Sequence, residues 1–322
     1  MIVVTGAAGF IGSCLVSKLN ENNFNDLILV DDFTKAIKKK NYYHKKYKKL
    51  VEREVFFQWL DNNHKQVEFI FHIGARTDTT EFDLKLLYLL NTEYTKIVWR
   101  KCYEYGIPLI YCSSAATYGD GSKNFDDNTP PNELTPLNAY GISKNDFDKW
   151  AILQKNKPYF NIGLKFFNVY GPNEYHKLRM ASVIYNSYKQ ILKDKQLNLF
   201  KSHRPDFKDG EQLRDFIYVK DVINIMYYFM NNRNSEFNGI YNIGTGQANS
   251  FNNLASAIFK AMKMPKNIKY IDIPEDIREK YQYFTEAKIE KLRRIGYNEK
   301  IYSLEEGVSD YVNTYLKNNS YL

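Results

Sequence analysis

The first nineteen residues, MIVVTGAAGFIGSCLVSKL, restrict this chain to a small set of folds. A short apolar strand, Ile2 to Thr5, runs into three glycines, Gly6, Gly9 and Gly12, spaced G-x-x-G-x-x-G. A helix follows with Ile11, Leu15, Val16 and Leu19 on one side. The first glycine lets the chain turn sharply, the second lets backbone approach a pyrophosphate, and the third lets helix and sheet pack closely. The helix N-terminus then presents free N–H groups and a positive dipole end to phosphates. A glycine triplet alone is a weak signal. Here a second strand, Leu27 to Asp32, ends in acid. Asp31 stands about 20 residues past the glycines, where a carboxylate meets an adenosine ribose.

Further apolar strands follow at Val67 to Ala75, Pro108 to Ser114 and Ile162 to Gly171, with helical stretches such as Leu84 to Tyr105 between them. The alternation predicts an α/β fold: a Rossmann-type, doubly wound parallel sheet covered on both faces. No internal repeat or low-complexity linker interrupts it.

Composition narrows the setting. The chain has 322 residues, 44% of them hydrophobic, enough for one large domain or two intimate ones. No apolar run is long enough to span a bilayer, and the opening residues read as a strand rather than a signal peptide. Cys14, Cys102 and Cys112 are scattered and form neither a metal spacing nor a disulfide framework. We expect no metal, no membrane partner and a reducing cytoplasm. The net charge of +8 is local: eight lysines and no acid lie in TKAIKKKNYYHKKYKKL, residues 34 to 50, and the rest of the chain is near neutral. That stretch has three readings: a solvated face, a clamp for a small phosphate, or an RNA-binding patch with interleaved tyrosines, Lys35 to Lys49.

In LNAYGISKNDFDKW, Tyr140 and Lys144 stand four apart on a predicted helix and point the same way. An ammonium beside a phenol favours the phenolate, and a bound nicotinamide cation favours it further. The tyrosine is then expected to serve as a base near neutral pH. Ser114, at a strand end, is placed to hydrogen-bond a substrate hydroxyl or the carbonyl it becomes. A separate loop, NEYHKLRMASV, gathers His176, Lys177 and Arg179 just before an apparent helix start.

With these motifs in order, the chain resembles the extended short-chain dehydrogenase/reductase family. TGAAGFIG, SSAATYG, YGISK, FFNVYGP, RDFIYVKDV and YNIGTG carry the resemblance across nearly the whole length. It implies an enzyme on a nucleotide-linked sugar. Residues 1–168, joined by part of 213–250, would hold the nicotinamide cofactor. Residues 169–322 would mainly form a smaller, interleaved α/β domain for substrate. Related dehydratases carry an Asp–Glu pair where this chain has Ala115 and Ala116, which leaves epimerisation. GARTDTTEFD, NEYHKLRMAS, LFKSHRPDFKDGEQLRDF and YQYFTEA look like the ADP-L-glycero-D-manno-heptose 6-epimerases. Leu178 departs from them, a small residue being commoner there.

That narrower resemblance implies an isomerase that inverts C6 of an ADP-heptose for lipopolysaccharide, through a ketone. Hydride and proton positions invert between the two faces, so two acid/base groups are expected, Tyr140 and Lys177, with Lys144 and Ser114 assisting. Arg179 becomes a substrate contact. His176 has three readings: orienting the loop, touching the nicotinamide, or purely structural. Arginine's fork suits a diphosphate, and the resemblance puts Arg214 on the ADP moiety with Asn186, Phe200, Lys201, Ser202, His203 and Tyr281. Asn168 falls on the sugar side. Phe10, Ile11, Asp32, Ile73, Gly74, Ala75, Arg76, Asn91, Val169, Lys144 and Lys177 would join the glycines and Asp31 at the cofactor.

Asp31 and Asp32 by themselves suggest NAD, since carboxylates repel a 2′-phosphate. Lys38 and Arg53 resemble residues that hold that phosphate, so the expectation is NADP, with NAD as the alternative. The resemblance also implies homo-oligomers, pentamers among them. The competing expectations are a UDP-hexose 4-epimerase on the same fold and, from another class, a nucleic-acid-binding protein using the lysine stretch.

Overall fold

The computed structural model describes every residue except 78–80, 82, 279 and 280, and the side chains of 276 and 277. Asp78 to Thr80 and Phe82, within the Gly74–Asp83 motif, therefore lie outside the described residues. In chain order the strands are β1 (Ile2–Thr5), β2 (Leu27–Asp31), β3 (Lys49–Glu52), β4 (Phe69–His72), β5 (Leu109–Ser114), β6 (Asn161–Phe166), β7 (Asn168–Tyr170), β8 (Leu197–Phe200), β9 (Leu213–Tyr218), β10 (Gly239–Ile243), β11 (Ala248–Ser250) and β12 (Ile268–Ile271). The main helices are α1 (Phe10–Glu21), α2 (Phe56–Asn63), α3 (Leu84–Leu87), α4 (Tyr94–Glu104), α5 (Ala139–Leu153), α6 (Val183–Asp194), α7 (Val219–Asn231) and α8 (Phe251–Met262).

Seven strands form one parallel sheet in the order β10-β6-β5-β4-β1-β2-β3. This is the doubly wound arrangement, with the strand order reversing between β1 and β4. Its strands are buried on both faces because successive side chains point opposite ways. Ile2, Val4, Leu27, Leu29, Phe69 and Phe71 join one core with α1 and α7. Their alternates Val3, Ile28, Val30 and Ile70 join the other, with Val98 and Trp99 of α4 and Phe147 of α5. Each such side chain, fully buried, contributes about 1.5–3 kcal/mol.

The predicted strand Ile162 to Gly171 is two strands in two sheets. The Phe167 N–H still donates to the Ile243 carbonyl at 3.0 Å. One residue later β7 leaves to pair with β9, which also pairs with β11 in a three-stranded sheet. The apolar run FFNVY carries no glycine or proline at the break, so the sequence does not mark it. The reverse excursion follows: α7 packs on α1, and β10 pairs with β6 at the edge of the central sheet. A separate pair, β8 with β12, lies farther along. Among the described residues no helix is long and apolar enough to cross a membrane.

Candidate active site

A cleft of about 570 Å³ opens at the C-terminal ends of β1, β2 and β4, where the strand order reverses. Every residue assigned to the cofactor from Gly6 to Arg76 lines it, as do His176, Lys177 and Met180. The glycine turn forms a cradle with no room for side chains. Gly6 has φ +69°, and a Cβ there would lie 2.7 Å from the Gly74 backbone; one on Gly12 would lie 2.1 Å from the Gly6 carbonyl. The first turn of α1 has no acidic residue and no side-chain cap, so its N–H groups and dipole are left for an anion. These features fit a dinucleotide pyrophosphate.

Asp31 lines the cleft, but its carboxylate is already engaged. Oδ2 accepts from the Ala8 N–H at 2.9 Å, and Oδ1 accepts from the Asp32 N–H and the Lys38 ammonium, both at 2.8 Å. Asp31 thus ties the glycine turn to the lysine stretch, and Lys38 neutralises it. Arg53 lies on the same wall, paired with Glu54 at 2.5 Å. The lysine stretch is partly internal: Lys45 bonds Ser17 and the Leu322 carbonyl, and burial pushes its ammonium down to about 8.

Sequence reasoning missed Asn41, the one amide in that lysine run. It is buried, and its Nδ2 lies 2.9 Å from the Ala8 carbonyl, 3.1 Å from the Asn173 carbonyl and 3.2 Å from His176 Nδ1. It links the glycine turn, the lysine stretch and the loop of Lys177. Burial and the nearby Lys38 push His176 down to about 4, so its ring is neutral near pH 7.

The loop from Gly171 to Ser182 ends where the Ser182 hydroxyl caps α6 at the Tyr185 N–H, 3.2 Å away. Lys177 is half-buried, with its ammonium 5.7 Å from the centre of the Phe10 ring. Its pKa is lowered by burial, against an opposing pull from Glu174. Leu178 beside it has φ +52° and ψ −121°, a region suited to glycine. This backbone requirement explains why a small residue suits the position. Arg179 is exposed.

Tyr140 comes from the first turn of α5, capped by Asn138, whose side chain accepts from the Gly141 N–H at 2.8 Å. Gly141 permits the approach: a Cβ there would meet the Ala116 carbonyl at 2.7 Å. Ser114, at the end of β5, accepts from the Ala116 N–H at 3.1 Å and interacts with the Tyr140 phenol. The expected lowering of the phenol does not appear. Burial pushes Tyr140 up to about 12, the Ser114 bond being the opposing influence. Lys144 is buried, and its ammonium donates to the Cys112 carbonyl at 2.8 Å. The lysine therefore braces the end of β5.

Asn91, assigned to the cofactor, lies behind the cleft. Its amide bonds the Arg76 backbone at 2.8 and 3.0 Å and Ser143 Oγ at 3.0 Å. Below it, hydrogen-bond directions order a chain. Gly74 N–H donates to Thr5, Thr5 O–H to His72 Nδ1, His72 Nε2–H to Thr95, and Thr95 O–H to the Asn91 carbonyl. Only a neutral His72 completes it, and burial pushes this imidazole down to about 3.

The residues assigned to substrate gather around the second sheet. Arg214 is the second residue of β9, which begins at Leu213. Its guanidinium is buried, donates to the Leu213 and Gln282 carbonyls, and packs over Tyr281 and Phe251 at 5.3 and 5.8 Å. Neutral carbonyls and rings leave its charge for an anion. Phe200 packs edge-on against Tyr281 at 5.9 Å, and the His203 N–H donates to the Tyr283 hydroxyl at 3.0 Å. Ser202 N–H donates to Asp209 at 2.8 Å and Lys201 pairs with Asp272 at 3.5 Å. Asn186 is exposed on α6, and Val169 lies in β7. Asn168 donates to the Asp215 carbonyl at 3.0 Å, joining β7 to β9.

Residues 2–244 match the model of the NAD dependent epimerase/dehydratase family. The chain is 49% identical to an ADP-L-glycero-D-manno-heptose-6-epimerase of Fusobacterium nucleatum over 100% of both sequences. It is 45% identical to one of Nitratidesulfovibrio vulgaris, covering 98% of each. The Helicobacter pylori ADP-L-glycero-D-manno-heptose-6-epimerase crystal structure superposes with a TM-score of 0.79 at 27% identity, over 97% of this chain and 95% of that one.

Proposed function

Because the chain belongs to the NAD dependent epimerase/dehydratase family, and within it to the ADP-L-glycero-D-manno-heptose-6-epimerases, we propose that it inverts C6 of ADP-D-glycero-D-manno-heptose using Tyr140 and Lys177 as paired acid/base groups. The observation that carries the reading is the placement of Lys177. It stands in the same cleft as the glycine turn, on a loop separate from the helix that carries Tyr140.

A bound nicotinamide cofactor would supply reversible hydride chemistry at C6 with no net consumption. The glycine turn and the start of α1 would hold its pyrophosphate. Lys38 and Arg53 would receive a 2′-phosphate, which would make NADP the preferred form. The side chains manage the proton. Ser114 and Tyr140 bind the C6 oxygen on one face, and Tyr140, as the phenolate that a bound nicotinamide cation would favour against the burial that raises its pKa, takes the proton as the carbonyl forms. Lys144 holds the end of β5 under Ser114. On the other face the Lys177 ammonium gives a proton to the same oxygen as the alcohol re-forms. Arg214 takes the diphosphate, Tyr281 and Phe200 flank the nucleotide, and Asn168, Asn186 and Arg179 bind around the sugar. In this reading residues 1–168 with part of 213–250 serve the cofactor, and the remainder serves the substrate. The protein works in the cytoplasm as a homo-oligomer.

The test supplies ADP-D-glycero-D-manno-heptose, and separately UDP-glucose, and follows products by NMR. Conversion of the first to its C6 epimer, with a C6 deuterium retained, is expected. Conversion of UDP-glucose alone would assign the site to hexose C4 chemistry.

A further inference from the structure

The loop that presents Lys177 is closed at both ends by one side chain. Glu174 is 1% exposed. Its Oε1 accepts from the Gly171 N–H at 3.3 Å, the Ser182 hydroxyl at 2.7 Å and the Tyr311 hydroxyl at 3.0 Å. Its Oε2 accepts from the Ser182 N–H. Its own backbone carbonyl accepts the Lys177 N–H at 2.9 Å. Donors therefore arrive at both carboxylate oxygens. An amide in this place would turn an N–H toward one of them; burial raises the Glu174 pKa, and the Ser182 and Gly171 donors oppose that rise in favour of the ionised acid.

All four donors to the carboxylate are neutral, so its charge acts elsewhere. Burial favours a neutral Lys177, and Glu174 favours the ammonium. Around Glu174, burial keeps Cys14, Tyr175, Tyr185 and Tyr311 neutral. Lys177 also neighbours His176, and its cleft holds Asp31, Asp32, Lys35, Lys38, Arg53 and Arg76. Of these charges, Glu174 is the buried one on the same loop.

We propose that Glu174 is the positioning residue of the Lys177 acid/base group: its carboxylate joins the two ends of the loop and keeps negative charge near the ammonium, so Lys177 gives up and recovers a proton at working pH. This rests on the reading of Lys177 as the second acid/base group. Tyr311, from the C-terminal part of the chain, belongs to the same device because its hydroxyl helps hold Glu174 ionised.

The experiment measures kcat/KM against pH with each C6 epimer for wild type, Glu174→Gln, Tyr311→Phe, Ser182→Ala and Lys177→Met. The ionisation lost in Lys177→Met is expected to move to lower pH in Glu174→Gln by about one unit, a tenfold change in the ammonium equilibrium. The ionisation of Tyr140 is expected to stay in place. Tyr311→Phe, which deletes one hydroxyl, moves the Lys177 ionisation the same way by less and decides the matter if Glu174→Gln does not fold. Ser182→Ala removes another hydroxyl donor to Glu174 as well as the cap of α6, so it slows turnover and moves the Lys177 ionisation the same way, by less than Glu174→Gln. A slowed Glu174→Gln whose Lys177 ionisation stays at the wild-type pH overturns the proposal alone. Wild-type rates in Lys177→Met with both epimers overturn the Lys177 reading, and this proposal with it.

Discussion

The Lys38 ammonium lies 2.8 Å from Oδ1 of Asp31. The acid that normally receives a ribose hydroxyl is thus neutralised by a lysine from the next loop. Replacing Lys38 and Arg53 with alanine is expected to weaken NADP binding about ten- to a hundredfold while sparing NAD, the scale of one or two lost charge-assisted contacts. Raising ionic strength should shrink the difference. Calorimetric titration with both cofactors is the check, and equal loss for both would take the 2′-phosphate away from these residues.

Tyr140→Phe should slow turnover about a hundred- to ten-thousandfold, the usual contribution of an acid/base group, with cofactor affinity little changed. Lys177→Met should cost a comparable factor. The two should differ in which C6 epimer reduces the cofactor in a single half-reaction. Stopped-flow absorbance with each epimer separates them. Identical behaviour with both epimers would argue that one group serves both faces.

Much of this site is legible in the sequence because its parts are local. The glycine turn, the Tyr140–Lys144 spacing and Ser114 at a strand end each follow from short-range geometry. What is not legible depends on contacts across the chain. Asn41 reads as a break in a lysine run until it is seen against Ala8, Asn173 and His176. The upward shift of Tyr140 follows from tertiary burial, which the helical spacing of a nearby lysine does not report. Asn91 is a backbone brace because the π-helical segment Tyr88–Glu93 places it behind Arg76.

Lys165 and Asp148 form a buried ion pair at 2.9 Å, with side chains 2% and 0% exposed. Ser113 and Thr117 join it, just behind Ser114. Removing one partner should strand a buried charge, and Asp148→Asn or Lys165→Met is expected to cost about 3–5 kcal/mol. The double change to residues of matched volume should recover much of that. Urea denaturation of the three variants measures it; a small loss in either single variant would show that the pair is dispensable.

His72 should make the fold sensitive to acid. Its folded pKa, pushed down to about 3, lies below the ordinary 6.5, so between those values the unfolded chain binds the extra proton. The stability it contributes is therefore present above about pH 6.5 and is lost as pH falls toward 3. His72→Gln should reduce this dependence. Comparing denaturation midpoints of the two proteins at pH 7 and 5 isolates it, because the carboxyls are shared. A parallel fall in both would exclude His72.

The far edge of the central sheet is supplied by β10, residues Gly239–Ile243, after the chain has built a second sheet. A nascent chain that has emerged only through β6 leaves that strand unpaired along one side, exposing hydrogen-bonding groups that can recruit another chain. The cover that α7 gives α1 is also still to come. Synthesis must pass residue 243 before either gap can close, so arrest or proteolytic clipping within the intervening segment should yield aggregates rather than a working half. The two regions are made and lost together, and an isolated dinucleotide-binding fragment cut at the obvious boundary would not be a smaller version of the same protein.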